Sequence, residues 1–353
     1  MPVACAELAQ RFRRFADREC TGVSPLYEAL ARAVAADPDL LALGARARPG
    51  QPAPNMLFAT VHFLLLGAAP GDPLARFYPD LTERPGPPEA AVPAFRGFCL
   101  RHEGTIAAVL GTRVVSTNEV LRAACLLPAF AEVARLAGRP LHLIEVGASA
   151  GLLLNWDRYA YDYDGVRTLG DRGAPLTLSC EIRGKHAPPL PEHLPAVASR
   201  RGIDPYPLNP ADPQDAAWLR ALIWPEQEER AARLERALAV ARADPPPMIA
   251  ADAIARLPAM IEALPRDGAP CVVHAFTLNQ FSETARAALD ALLHAAGRGR
   301  PVWRIGLEWG GGAAPELRLT GYHGAEVRET TLARSDPHGA WIEWLVDGPG
   351  GHA

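Results

Sequence analysis

The sequence predicts an α/β protein in which an all-helical N-terminal domain (residues 1–138) precedes an α/β domain (residues 139–353). The second domain is expected to hold a doubly wound, mostly parallel sheet with antiparallel C-terminal strands. Three observations predict this. No convincing strand pattern precedes Gly138, short apolar runs alternate with helical stretches after it, and the last strands have no long helix between them. Such alternation is typical of parallel, doubly wound sheets.

The N-terminal domain is predicted from helical periodicity and capping signals. Leu8, Phe12 and Phe15 share one face of an amphipathic helix. The pair Ser24-Pro25 has the form of an N-cap followed by proline at the first helical position, which opens a second helix. Further helices are predicted at residues 56–66, 93–111 and 118–137, with a Pro/Gly-rich loop at 69–93.

In the second domain a buried strand at 141–146 leads into a glycine turn. A cap at Asp212-Pro213 marks the start of one of the helices that follow. An insert at about 160–200 is expected to form a hairpin from residues 160–163 and 176–183. The remaining predicted strands are 248–251, 271–276, 302–307, 316–320, 326–332 and 339–346, and the remaining helices are 212–224, 226–242, 253–264 and 282–296.

Composition argues against several classes of partner. The chain has 353 residues and a net charge of −4, and Lys185 is the single lysine among its 36 basic residues. The arginines are dispersed and there is no basic tail, so no nucleic acid is expected to bind. The longest apolar stretch, 56–69, contains Thr60 and His62 and is shorter than the ~18 residues of a membrane span. We therefore expect no membrane association, and we expect His62 to be a hydrogen-bonded core histidine.

The cysteines and histidines show no metal-site spacing. The 6 cysteines are spread singly, as expected for reduced, mostly buried thiols in a cytoplasmic protein. His186 and His193 flank a proline-rich loop without a cysteine or an acid at ligand spacing.

The glycine turn after the first strand carries the strongest signal. It places Glu145 two residues before Gly147, and a G-x-S-x-G spacing through Ser149 to Gly151, where a helix is expected to begin near Ala150. Ligands of open α/β sheets bind at this edge. An acid before the turn repels phosphate but suits a cationic amino acid moiety, which disfavours a dinucleotide.

These residues resemble the first motif of class I S-adenosylmethionine-dependent methyltransferases, which have a Rossmann-like fold. The resemblance implies that Glu145, Gly147, Ser149 and Gly151 bind S-adenosylmethionine. Gly202-Ile203-Asp204 resembles the end of the second strand of that fold, which implies that Asp204 takes the ribose hydroxyls. Asp252 follows the predicted strand 248–251, which resembles the third strand, and the resemblance implies that Asp252 lies beside the adenine.

The whole chain more closely resembles an uncharacterised bacterial family with a domain of unknown function. Four motifs carry that resemblance: Thr117-Asn118-Glu119, Gly147-Ala148-Ser149-Ala150-Gly151, Trp224-Pro225-Glu226-Gln227 and Pro337-His338-Gly339. Asn118 and Glu119 are candidates for contact with the cofactor. They can equally be an N-cap and a first-turn acid.

The assignment of the ribose acid has a rival. Asp204 lies 53 residues beyond Gly151, whereas such an acid is expected roughly 20 residues on. The insert would explain the difference. Asp162 and Asp164 have better spacing but lack a following turn like the one at Pro205.

Candidate catalytic residues lie at and after the end of the predicted strand 271–276, which resembles the fourth strand of the methyltransferase fold. His274 titrates in the useful range for a general base, and Asn279 could orient a methyl acceptor. His274 can also be a packed strand histidine, and Asn279 can simply precede a helix cap at Ser282. The Asn-Pro-Pro-aromatic run of base and amide N-methyltransferases is absent, so the expected substrate is another small molecule.

Two further functions stay open. A non-catalytic ligand sensor would keep the fold without the reaction. A serine hydrolase would use Ser149 as its nucleophile, with the acid and base drawn from Asp252 or Asp267 and His323 or His338. Against the hydrolase, only helices precede the strand at 141–146 and the oxyanion-loop glycines are missing.

Overall fold

The computed structural model describes residues 3–165 and 167–346 and divides into two compact units. The helical unit comprises the chain up to Thr117 together with Ala211–Leu234. The sheet unit comprises Asn118–Pro210 and the chain from Glu235 onward. The predicted α/β class is confirmed, with an N-terminal helical region and a mixed, mostly parallel sheet. The helix expected at 118–137 belongs to the sheet unit, because it packs against the strands.

Capping signals in the sequence set several helix starts. Ser24 accepts a hydrogen bond from the Tyr27 amide, and Asp212 accepts one from the Gln214 amide, each with proline next along the chain. Both predicted caps are confirmed. The helices of the helical unit are α1 (Val3–Phe15), α2 (Pro25–Val34), α3 (Pro38–Gly44), α4 (Ala53–Leu66), α5 (Ala91–Arg101), α6 (Glu103–Thr112) and α8 (Pro213–Ala221). The helix expected at 93–111 is two helices, and α3 was not predicted.

The sheet unit is built on a sheet that has eleven strands in the described part of the chain. Its helices are α7 (Arg122–Ala137), α10 (Ala253–Glu262) and α11 (Glu283–Gly297), and α9 (Glu228–Ala243) spans the division of the chain. The strands are β1 (Leu141–Val146), β2 (Ala160–Tyr163), β3 (Arg167–Leu169), β4 (Thr177–Arg183), β5 (Val197–Asp204), β6 (Met248–Ala250), β7 (Ala269–Ala275), β8 (Val302–Trp309), β9 (Pro315–His323), β10 (Glu326–Ser335) and β11 (Trp341–Trp344).

The strand order is β3-β2-β4-β11-β10-β9-β8-β7-β1-β5-β6. The segment β6-β5-β1-β7-β8 is parallel throughout. Within this segment, after the insert β2–β4, the chain forms β5 and β6 on one side of β1 and then β7 and β8 on the other. Open α/β sheets bind ligands at such a switch point, outside the carboxyl ends of the strands. That location is the end of β1.

Helices cover both faces of the central strands. Ile144 and Val146 lie in a core cluster with residues of α10 and α11, such as Leu257 and Leu289. The other face packs against α7, which contacts β4, β7, β8 and β9. Every residue of β1 is consequently buried, as expected for a parallel strand covered on both faces. Because successive strand residues point to opposite faces, Glu145 points away from the cluster with α10 and α11.

The insert contains the predicted strands but not the predicted hairpin. β2 pairs with β4 in the parallel direction, and β3 takes the antiparallel place beside β2. The chain crosses from β3, on one side of β2, to β4 on the other, and these two outer strands run in opposite directions. The insert joins the rest of the sheet through β11, which pairs in parallel with β4.

Candidate functional site

The turn after β1 alternates in backbone handedness. Gly147, Ser149 and Gly151 have φ values of 72°, 53° and 71°. The amides of the turn bond within the protein. Gly147 donates to the Ile203 carbonyl at 2.9 Å and Ser149 donates to Asp204 Oδ2 at 3.0 Å. The concave turn therefore holds the carboxylate of the chain itself, where a dinucleotide-binding turn would hold a phosphate.

The glycines of this turn are required by close packing as well as by φ. A Cβ on Gly147 would lie 2.4 Å from Thr277 Oγ1, and one on Gly151 would lie 2.6 Å from Pro246 Cγ. Thr277 is fixed in place because its hydroxyl donates to the Val146 carbonyl at 3.1 Å. The turn is thus held by hydrogen bonds to the end of β5 and by packing against the segment that follows β7.

The helix expected near Ala150 does not form. A 3₁₀ helix of 7 residues, Leu152–Arg158, follows the turn instead, with Asn155 outside helical geometry. Its first amide, that of Leu152, donates to Asn118 Oδ1 at 2.8 Å. The short segment provides no long helix whose positive end could face a ligand.

Two carboxyl groups meet at the ends of β1 and β5. Glu145 is 2% exposed, and its Oε2 atom is buried without a hydrogen-bond partner. Asp204 is also buried and accepts from the Ser149 and Tyr206 amides. Burial raises the pKa of Glu145 well above its usual range, and the nearby charge of Asp204 raises it further. A buried acid without a partner is costly, so this oxygen marks a position where a donor from a ligand would be stabilising.

The segment before α7 borders the glycine turn. Asn118 accepts the bond from the Leu152 amide. Its neighbour Glu119 is buried, and Glu119 Oε1 accepts from the Leu121 amide at 3.2 Å. Since α7 begins at Arg122, Asn118 is not its N-cap. The structure therefore brings Asn118 beside the turn, where it positions the main chain.

Sequence reasoning missed Arg122. Its guanidinium lies 4.0 Å above the ring of Phe276, and its Nε donates to the Pro337 carbonyl at 2.8 Å. Phe276 follows β7 with a φ of 56°, and Gly339 packs against the Leu121 carbonyl. The motifs around Asn118, the glycine turn and Pro337 thus share one edge of the sheet. No local signal could have paired positions 215 residues apart.

His274 faces the other side of the sheet. It is buried, and its Nδ1 lies 2.8 Å from Glu308 Oε1, which also accepts from the Thr277 and Leu278 amides. A carboxylate beside Nδ1 fixes that nitrogen as the donor, and Nε2 is buried without a partner. His274 follows Val273, the residue paired with Glu145, so it points to the opposite face. The structure does not bring His274 and Glu145 together.

The remaining predicted residues lie in different places. Asn279 is exposed in a short 3₁₀ helix after β7. Asp252 is exposed and caps α10 through the Ala255 amide at 3.0 Å. Asp162, on β2, is separated from β1 by six strands in the sheet order, and Asp164 follows the same strand. Asp204, by contrast, ends the strand next to β1.

The structure separates two of the four hydrolase candidates, Asp267 and His323, from Ser149. Asp267 contacts His142 near the start of β1, and His323 packs against Trp303 near the start of β8. Both lie at the amino edge of the parallel strands, whereas Ser149 lies at the carboxyl edge. Neither can complete a triad with Ser149.

Within residues 3–165 and 167–346, no group of three or more metal-ligating side chains is found. Over the same residues, no helix is both long and apolar enough to cross a membrane. Of the six cysteines, five are buried and Cys5 is partly buried.

A family model described as an uncharacterized protein conserved in bacteria (DUF2332) matches residues 9–344. The chain belongs to this family. The match covers both units. The resemblance of the four motifs to an uncharacterised bacterial family is therefore confirmed. Neither the curated proteins nor the solved structures contain a significant match to the chain.

Proposed function

We propose that the chain is an S-adenosylmethionine-dependent methyltransferase that acts on a small molecule. The observation that carries the proposal is the buried, unpartnered Oε2 of Glu145 beside Asp204, at the switch point of the parallel strands. Two acids at this position favour a ligand with a positive amino group and hydroxyl donors. S-adenosylmethionine has both.

The residues fit such a cofactor in outline. Glu145 would receive a hydrogen bond from the amino group, and Asp204 would accept from ribose hydroxyls with the lone pairs that its two amide bonds leave free. The cofactor supplies an activated methyl group for transfer to a nucleophile. Asp252 and Asn279, which follow β6 and β7, stay candidates for the adenine and acceptor ends.

Binding of S-adenosylhomocysteine to the full-length protein tests the proposal. At 100 times its dissociation constant a ligand adds about 2.7 kcal/mol of stability. That raises the melting temperature by about 5–10 °C at the usual 2–4 °C per kcal/mol. The bound ammonium group would favour the ionised form of Glu145, which glutamine cannot adopt. Glu145→Gln should therefore weaken binding by about 10–100-fold, since a hydrogen bond between charged groups contributes about 1.5–3 kcal/mol.

The matched control is Glu262→Gln, which removes an exposed acid from the last turn of α10. It should leave the dissociation constant unchanged. No shift for the wild type, or equal affinities for wild type and Glu145→Gln, would overturn the proposal.

One observation favours a non-catalytic ligand sensor as the second candidate. His274, the predicted base, faces the side of the sheet opposite Glu145. A protein that binds S-adenosylhomocysteine through Glu145, but transfers no labelled methyl group across a panel of small amines, thiols, phenols and carboxylic acids, would fit the sensor.

A further inference from the structure

The helical unit contains a second set of polar side chains that each have a buried polar atom, here called the Tyr27–Glu226 cluster. Its members are Tyr27, Tyr78, Asp80, Arg220 and Glu226. Each carries a buried atom without a hydrogen-bond partner: the two phenol hydroxyls, Asp80 Oδ1, Arg220 Nη1 and Glu226 Oε2. Buried polar atoms are nearly always paired, so five in one cluster call for a common explanation.

The five groups lie close to one another. The rings of Tyr27 and Tyr78 have centroids 6.4 Å apart. Burial is the main cause that raises the pKa of each phenol, and the charges of Asp80 and Glu226 raise both further. Arg220 bonds directly to Asp80. His62, which bonds to Asp80, lies 5.4 Å from the Tyr78 ring between centroids, and Ser24, which donates to Glu226, accepts from the Tyr27 amide. The two carboxylates are therefore adjacent to the pair of tyrosines.

One carboxyl oxygen of Asp80 has hydrogen-bond partners and the other has none. Oδ2 accepts from Arg220 Nη2 at 2.7 Å and lies 2.9 Å from His62 Nε2, while His62 Nδ1 lies 3.2 Å from the Ala221 carbonyl. His62 is thus the satisfied core histidine that the sequence predicts. Its bonds hold Asp80 in place, with Oδ1 left over on a side chain that is 2% exposed.

Glu226 shows the same asymmetry. Its Oε1 accepts from Ser24 Oγ at 2.9 Å and from the Leu26 amide at 3.2 Å. Both donors are uncharged groups. Its Oε2 is buried without a donor. A buried carboxyl oxygen without a donor is destabilising, so a donor group placed against it would be stabilising.

Aromatic rings enclose the same region. Phe58 stacks on Tyr27 at 4.8 Å between centroids, and Trp224 meets Tyr27 edge to face at 5.8 Å. Aromatic faces attract organic cations. Four of the five unpartnered atoms are oxygens that can accept, whereas Arg220 Nη1 is a donor. The complementary ligand therefore has a cationic donor group and one acceptor.

We propose that the Tyr27–Glu226 cluster binds a small amino compound that carries an ammonium group together with a hydroxyl or carboxylate oxygen. The ammonium group donates to Glu226, Asp80 and the phenol hydroxyls, and the oxygen accepts from Arg220. This assigns a binding role to the motif Trp224-Pro225-Glu226-Gln227, which the site on the sheet does not use. The proposal does not depend on the function proposed for the sheet unit.

Calorimetric titration of the full-length protein tests it, with ethanolamine and glycine as probes and ethylene glycol as the uncharged comparison. Saturable binding of either amine is expected, with none for ethylene glycol. Glu226→Gln should weaken the binding at least tenfold. Glu229→Gln, which removes an exposed acid at the start of α9, should not change it.

A second variant protects the test against misfolding, because Glu226 also bonds α2. Tyr78→Phe keeps the ring and removes only the unpartnered hydroxyl, so it should fold and bind the amine several-fold more weakly. The proposal is overturned if neither amine binds saturably, if ethylene glycol binds as tightly, or if both variants keep wild-type affinity. Internal water alone would then satisfy the cluster. Titration with S-adenosylhomocysteine reports on the sheet unit separately.

Discussion

Replacing Gly147 by alanine tests whether packing on Thr277 sets the turn after β1. A Cβ there would lie 2.4 Å from Thr277 Oγ1 and 2.5 Å from its Cγ2. Such overpacking costs about 1–3 kcal/mol. A side chain at a φ of 72° costs about 1–2 kcal/mol more. Alanine also restricts the unfolded chain more than glycine does, which offsets about 0.4–1 kcal/mol of this loss of stability. The expected net loss is about 3 kcal/mol.

Gly324→Ala is the matched control in the same unit. Gly324 has a φ of 64°, and nothing lies within 4 Å of its Cβ position. It carries the backbone penalty without the overlap, so its net loss should be about 1 kcal/mol. The difference of about 2 kcal/mol corresponds to a melting temperature about 4–8 °C lower for Gly147→Ala. Urea unfolding followed by tryptophan fluorescence measures both.

Equal losses for the two variants would refute the argument, since the overlap with Thr277 is the only term that separates them. A double-mutant cycle sharpens the result. Thr277→Ala removes the two nearest atoms, so the double variant should be about 1–2 kcal/mol more stable than the sum of the single changes predicts. Strict additivity would place the strain elsewhere.

Two further changes test the carboxyl edge of β1. Because burial and Asp204 raise the pKa of Glu145, its folded form holds a proton that the unfolded chain loses above pH ~4.3. The stability from this group is therefore present below that pH and is lost as pH rises through the folded value. Glu145→Gln has no proton to lose, so its stability relative to the wild type should increase as the pH rises above ~4.3 in urea titrations. A difference that is the same at every pH would contradict the assigned shift. Asn118→Ala leaves the Leu152 amide buried without an acceptor and should cost about 1–3 kcal/mol in the same assay, whereas Asn118→Asp, which keeps the acceptor, should recover most of it; equal losses would show that the bond does not matter.

Features with a local cause were predictable from the sequence. The caps at Ser24 and Asp212 depend on one side chain and the amides of the next turn, and both were predicted. The strand β1 was predicted because its signal, an apolar run that ends at a glycine turn, is local and does not depend on which elements pack against it. The acid pair was anticipated only through resemblance, since the ends of β1 and β5 are far apart in the chain.

Features that depend on pairing were not predictable. The parallel pairing of β2 with β4 requires knowledge of where β3 lies, and composition does not encode it. The orientation of His274 follows from register: one position along β7 changes the face. The contact of Arg122 with Phe276 joins segments that only the completed sheet brings together. The Tyr27–Glu226 cluster likewise draws on four separate segments.

The strand β11 has a consequence for biosynthesis. Its four residues, Trp341–Trp344, are the sole ladder joining β3-β2-β4 to the other strands of the described sheet. The insert is synthesised long before β11. The edge of β4 therefore has no strand to pair with until β11 has emerged from the ribosome. Domains generally fold from the N-terminus as they are made, and unpaired edges invite aggregation. Chains stalled or truncated before residue 341 should therefore depend on chaperones far more than the complete chain does.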